Sequence, residues 1–192
     1  MKKWLTIIFI AIACLFAAII FFSPYGKYEG FEYKLVKHTV TINAPVKDVY
    51  SFLGNSKNAS RWSVFVHHII PLNADSVPDG MPGSKRRCFC RADETGMQWD
   101  ELITEVIPYQ KRQLTIYNLK NFPVTANNLA TEQLYEALSE SQCRLTFSIF
   151  FKDAKPTLME KIKMYLAAYK IKNIFKKNMA NIKRIVEEEN ND

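Results

Sequence analysis

The 192 residues contain no G-x-G-x-x-G loop, no lysine-bearing phosphate loop, no H-E-x-x-H pair and no G-x-S-x-G elbow. Without them, dinucleotide, phosphoryl-transfer, zinc-peptidase and serine-hydrolase chemistry have no foothold, and neither a cofactor nor a metal is expected. Cysteine is scarce. Of four in the chain, Cys88, Cys90 and Cys143 lie outside the longest apolar run. Cys88 and Cys90 would point the same way on a strand, a geometry poorly suited to a disulfide, and a C-x-C pair alone supplies half a zinc site. Buried small hydrophobes are the expectation. No internal repeat is visible.

What is present is apolar and aromatic. The chain is 48% hydrophobic and 23% charged, with 13 Phe, 9 Tyr and 3 Trp. Its length is a prior for one domain with an appendage, large enough to bury a substantial core. The aromatic share of 13% suggests a bulky core or an apolar cavity. A formal charge of +7 favours anionic partners. Much of the excess falls near the C-terminus, where Lys155, Lys161, Lys163, Lys170, Lys172, Lys176, Lys177, Lys183 and Arg184 alternate with apolar residues. A solvated helix face explains such a run without any partner; a phospholipid surface is the functional alternative. No recognised nucleic-acid module accompanies the basic residues, so nucleic acid is not expected as a partner.

Residues 4–22 carry no charge. At ~1.5 Å per residue this run spans a hydrocarbon core of ~30 Å, and it reads as a transmembrane helix. Lys2 and Lys3 precede it as in a signal sequence, but the run exceeds a usual h-region and no small-x-small site follows before Ser23-Pro24. Ala11-Ile12-Ala13-Cys14 resembles a lipobox only loosely, since the residues after Cys14 stay apolar. The expected organisation is an anchor over 1–23, a linker over 24–33, a domain over 34–188 and a tail over 189–192, with the chain fraying from Glu187. Long domains translocate largely regardless of flanking charge, so the domain is placed outside the cytoplasm on a single-pass protein.

The domain opens with an alternating, β-branched stretch over 33–43, stopped by Ala44-Pro45. Proline suits the first turn of a helix, and Val49, Tyr50, Phe52 and Leu53 follow at helical spacing to Gly54. A second short turn ends at Trp62. Strand patterns recur over 64–72, 85–92, 97–107, 112–119, 129–138 and 143–151. Between them lie turn-rich segments over 78–83, 93–96 and 108–111, so the strands read as an antiparallel meander. From Pro156 an apolar stripe at a period near 3.6 predicts one long helix.

The segment Thr41-Ile42-Asn43-Ala44-Pro45-Val46-Lys47-Asp48-Val49-Tyr50, with Trp62 in the next turn, resembles the opening of the SRPBCC, or START-like, helix-grip superfamily. That superfamily includes START lipid-transfer domains, birch-allergen relatives and polyketide cyclase/dehydrase proteins. The resemblance extends over about 34–186. It implies an α+β helix-grip fold, with a curved antiparallel sheet of about seven strands packed on a long C-terminal helix. It also implies a cavity between the two for lipids, hydrophobic hormones or polyketide intermediates, while leaving the function open.

Acid–base candidates are His67, His68, Asp100, Glu101, Glu105 and Glu132, of which His68 and Glu101 are the catalytic candidates; each is equally at home on the surface. Trp99, Glu101 and Ile103 share one strand face. If that face is concave, Glu101 needs a partner, and Arg86 or Arg87 on the neighbouring strand is placed to supply one. The opposite parity, with Asp100 and Leu102 inward, fits the pattern equally well. Trp62, Trp99, Tyr117, Tyr135 and Phe147 are expected to line the cavity. Two functions follow: a carrier for a hydrophobic small molecule or lipid drawn from the adjacent membrane, or a cyclase/dehydratase-type enzyme using His68 or Glu101. Ala137→Trp, if Ala137 faces inward, would block the first by filling the cavity.

Overall fold

The structure is a computed structural model and describes residues 2–122, 128–152 and 156–190. Lys155 and residues 191–192 therefore lie outside the described residues. One eight-stranded antiparallel sheet runs in the order β1-β2-β8-β7-β6-β5-β4-β3. Its strands are β1 (Gly26–Lys27), β2 (Lys34–Ile42), β3 (His68–Pro71), β4 (Lys85–Phe89), β5 (Gln98–Ile107), β6 (Lys111–Lys120), β7 (Leu129–Ser139) and β8 (Gln142–Phe151). From β3 to β8 each strand pairs with its successor, and β2 closes onto β8. The helices are α1 (Lys2–Phe21), α2 (Val46–Gly54), α3 (Ala59–Trp62) and α4 (Leu158–Glu189). This is the α+β helix-grip arrangement.

Pro45 caps α2 at φ −57°, and the helix buries Val49, Phe52 and Leu53. These side chains join Ile42, Leu145, Met179 and Ile182 in a core between one end of the sheet and the second half of α4. A second cluster, with Val36, Ile149, Met164 and Ala168, sits under its first half. Gly80 sits at φ +81°, and a Cβ there would stand 2.8 Å from the Gly54 carbonyl oxygen. Only glycine lets the 78–83 turn approach α2 this closely. Asp79 Oδ2 then accepts the Ser56 backbone N–H at 2.8 Å.

Three expectations need correction. First, of the strand expected over 64–72 only His68–Pro71 forms. Ser63 Oγ accepts the N–H groups of Phe65 and Val66 at 3.1 and 2.9 Å, and Asn178 Oδ1 accepts that of Val64 at 2.8 Å. Side chains thereby satisfy backbone that a strand would otherwise pair. Second, the expected linker is partly folded: Gly26–Lys27 adds an edge strand to β2, and Tyr33 stacks on Phe150 across the outer face of the sheet at 5.4 Å. The sheet has eight strands where about seven were expected. Third, the chain does not fray from Glu187, because α4 continues to Glu189. The Glu187 carboxylate accepts the Asn43 backbone N–H at 2.6 Å and pairs with Lys183 at 2.6 Å.

At its other end α4 begins at Leu158, with Thr157 as the cap. Thr157 Oγ1 accepts the Glu160 backbone N–H at 3.2 Å, and Glu160 Oε2 accepts that of Thr157 at 2.8 Å. This reciprocal box satisfies two donors that a helix start leaves open. Thr157→Ala is expected to lower stability by about 1 kcal/mol, read from the urea midpoint of the solubilised chain. An unchanged midpoint would mean that this first turn adds nothing to the folded state.

The apolar helix α1 spans 20 residues, with the side chains of residues 3–17 exposed, and is long enough to cross a membrane. Its C-terminal end meets α4: the Tyr169 hydroxyl donates to the Ile19 carbonyl at 2.9 Å, and Ser23 Oγ donates to the Tyr165 carbonyl at 2.9 Å.

Candidate functional site

Between the inner face of the sheet and α4 lies a cavity of about 550 Å³. Strand alternation decides which side chains reach it. Ile116, Leu129, Phe147 and Phe151 form an apolar floor from the sheet, and Met164, Ile171 and Phe175 form a roof from the helix. At the α3 end Trp62 closes against Phe147, ring centroids 6.1 Å apart. Trp99 stacks on Phe65 at 5.6 Å and meets Phe122 edge-on at 5.9 Å, so the loop after α3 and the end of β6 complete a second wall. The mouth includes the half-buried Lys163 and the exposed Leu166 and Lys170 of α4.

Set into these walls is one buried ion pair. Arg86 and Glu101 stand directly opposite in the β4–β5 register. Arg86 Nε donates to Glu101 Oε2 at 2.7 Å, with side chains only 8% and 11% exposed. Trp99 Nε1 donates to the other carboxylate oxygen at 2.9 Å. Burial works against the Arg86 charge, but the charge and hydrogen bond of Glu101, aided by Cys88 and Asp79, hold its pKa above the usual arginine value. One residue along each strand the arrangement repeats on the outer face. There Arg87 makes two hydrogen bonds to Asp100, at 2.6 and 3.0 Å, and Asn118 donates to the same carboxylate at 2.8 Å. The parity left open by sequence is thus resolved: Glu101 faces inward and takes Arg86, while Asp100 faces outward and takes Arg87.

Trp62, Trp99, Phe147, Glu101 and Glu132 are among the residues lining the cavity, while Tyr117, Tyr135, His67, His68, Asp100 and Glu105 are not. Tyr117 lies on the outer face opposite Asp100, one residue past the inward Ile116. At Asn118 the backbone takes φ 51°, and Leu119 rejoins the cavity lining. Tyr135 faces inward but beyond the cavity, in the core beside α2. Its hydroxyl donates to Gln133 Oε1 at 2.6 Å and accepts from Arg112 at 3.1 Å, and burial pushes its pKa well up. His68 stacks on Phe89 at 4.8 Å and faces Glu94 at 3.3 Å, on the surface away from the cavity, so it has no route to a cavity-bound molecule. Ala137 is exposed near the β7–β8 turn, and Ala137→Trp would fill nothing.

Gln133 and Thr131 line the wall alongside Glu101 and were not singled out from sequence. Their place two residues apart in an alternating strand, in step with Leu129 and Tyr135, is the signal that locates them. Cys88 and Cys143 are buried and all four cysteines are free. Burial, reinforced by Glu101, raises the Cys88 thiol pKa well above its ordinary value, and burial pushes Cys143 up to about 11. Both behave as small apolar groups at neutral pH.

A family model described as polyketide cyclase / dehydrase and lipid transport matches residues 34–187. No curated protein matches the chain. Among solved structures it is similar to the di-domain ARO/CYC protein BexL from the BE-7585A biosynthetic pathway, at 12% identity and a TM-score of 0.60. That alignment covers 80% of this chain and 46% of BexL, so the chain spans about half that relative's length. A protein from Nitrosospira multiformis aligns at 12% identity and a TM-score of 0.61, covering 82% of this chain and 99% of that one. Ara h 8.0201 aligns at 14% identity and a TM-score of 0.50, covering 79% and 96%. At these identities the likeness is one of fold, and it is the same sheet wrapped on the same long helix. With the family model spanning β2 to β8 and nearly all of α4, the chain belongs to the polyketide cyclase/dehydrase and lipid transport family, of SRPBCC helix-grip fold.

Proposed function

We propose that this protein binds a hydrophobic small molecule or lipid in the cavity between sheet and α4, and is held on a membrane by α1 with the domain outside the cytoplasm. The observation that carries this reading is the cavity itself: about 550 Å³, within the range of ~300–1,000 Å³ usual for small-molecule sites. Its walls are aromatic and aliphatic, with a few polar groups clustered at Arg86 and Glu101. An amphipathic ligand would set its apolar body against Trp62, Trp99 and Phe147, and turn a hydroxyl or carbonyl toward that pair. The outward-facing apolar surface of α1 supports a membrane location, because apart from its C-terminal end against α4 the helix packs on none of the described residues of the domain.

Catalysis is the weaker reading. The family description covers cyclases and dehydrases, and Glu101 is a cavity carboxylate. Its two oxygens already accept from Arg86 and Trp99, which ties the carboxylate into the wall.

Native mass spectrometry of the full chain, purified in a mild detergent, tests the proposal. One apolar molecule per chain, released on denaturation, is the expected result. A protein that arrives empty and takes up nothing from a panel of phospholipids, fatty acids and sterols would sink the carrier reading.

A further inference from the structure

Four apolar residues of α4 follow one another along its outer side: Leu158, Ile162, Leu166 and Tyr169. Leu158 is 75% exposed, Leu166 45% and Tyr169 43%, with Met159 beside them at 59%. The spacing of four, four and three residues keeps them on one stripe, opposite the side that buries Met164, Ala168 and Met179. No packing among the described residues of the domain accounts for a stripe of this size.

Its position between two other features gives it meaning. On one side lies the C-terminal end of α1, tied to the stripe by the bond from Tyr169 to Ile19 and to α4 by that from Ser23 to Tyr165. On the other side the stripe merges with the cavity mouth, since Leu166, Lys163 and Lys170 also border the opening. Beyond Glu160, which also lines the cavity, the charge is of one sign. Between Glu160 and Glu187 the helix carries no acidic residue. Lys183 and Arg184 pair with Glu187 and Glu188 at its far end. Among the described residues Lys163, Lys170, Lys176 and Lys177 make no ion pair.

We propose that this side of α4 rests on a lipid bilayer bearing anionic headgroups, with Leu158, Met159, Leu166 and Tyr169 at the headgroup boundary and the lysines against phosphate, so that the cavity mouth opens at the membrane surface. The inference rests on the membrane reading of α1. The continuity of the stripe with that apolar helix, and the match of its lysines to anionic lipid, select a bilayer over a second copy of the chain or a soluble protein. Interfacial helices bind by this combination of an apolar face and flanking lysines.

The test is photo-crosslinking on the full chain in nanodiscs of phosphatidylcholine with or without phosphatidylglycerol. A benzophenone amino acid replaces Leu158 or Met159, or, as control, the exposed Leu138 at the far end of the sheet. Leu158 and Met159 do not line the cavity, so adducts there report the surface and not a bound ligand; an empty cavity in native mass spectrometry would leave this readout intact. The expected result is phospholipid adducts at 158 and 159 and few at 138. Lys163→Glu with Lys170→Glu should lower the yield in the anionic discs, by up to about fivefold per lysine, and leave it unchanged in phosphatidylcholine alone. Equal yields at all three positions, or covalent dimers in place of lipid adducts at 158 and 159, would overturn the proposal.

Discussion

Glu101→Ala lowers the unfolding free energy of the full chain by about 3–5 kcal/mol, because it removes the sole counter-charge bonded to a guanidinium that stays buried. Arg86 and Glu101 are 7% and 8% exposed, and the same substitution strips the Trp99 N–H of its acceptor. Neither orphan is easily rehydrated at a site whose surroundings are mostly apolar. The cost is one of breaking the pair and not a measure of what the pair contributes. Arg86→Met combined with Glu101→Leu should therefore recover most of the loss, since a matched apolar replacement removes both desolvated charges together. Denaturant unfolding of the wild type, Arg86→Met, Glu101→Leu and the double variant as a double-mutant cycle, with Glu101→Ala alongside, separates the two statements. A loss below about 1 kcal/mol for Glu101→Ala would show that water reaches Arg86 freely and that the pair is not a dry element of the wall.

The same cycle bears on why charges sit there at all. An apolar pair would hold the strands as well, yet it would remove the charged pair from the wall and leave uncharged groups such as Thr131 and Gln133 there. Retaining Arg86 and Glu101 fits a site that orients a ligand with one polar end. In that case the recovered double variant, although stable, should bind ligand in no preferred orientation and with lower affinity.

Much of this fold could be read from local chemistry. Ala44-Pro45 starts α2 because proline tolerates the first helical turn, and the β-branched run of β2 suits its place in a sheet with one face on α4. The site was legible only as far as strand parity. Trp99 and Glu101 had to share a face, but the doubled Arg86-Arg87 and Asp100-Glu101 pattern satisfies either parity, and register is a tertiary property. Tyr117 was misplaced for the same reason. His68 was misplaced because the strand holding it is short: Ser63 and Asn178 occupy the backbone before it, an interaction more than a hundred residues apart in sequence that no local pattern announces. The small strand β1 depends on two residues folding back on β2, and its composition carries no strand signal.

Filling the cavity gives the largest functional effect, and its sign on stability is what makes it informative. Thr131 lies on the floor, opposite Leu114 on β6 and Ile149 on β8, and Ala167 lies across from it on α4. Thr131→Trp and Ala167→Trp each push an indole into space that the ligand would occupy. Into a well-packed core such an insertion costs about 1–3 kcal/mol in forced rotamers and backbone shifts. Into a void of about 550 Å³ it meets no such resistance, and stability should change by less than about 1 kcal/mol. Ligand occupancy, by contrast, should fall at least tenfold, equivalent to about 1.4 kcal/mol of binding. Titration of a fluorescent fatty acid, run beside thermal unfolding, reads both quantities from one preparation. Unchanged binding with unchanged stability would put the ligand elsewhere, and a destabilised protein would mean that the void closes in solution. Only lost binding in a protein that unfolds as before places the ligand against Thr131 and Ala167, between sheet and helix, where a bilayer-facing mouth would deliver it.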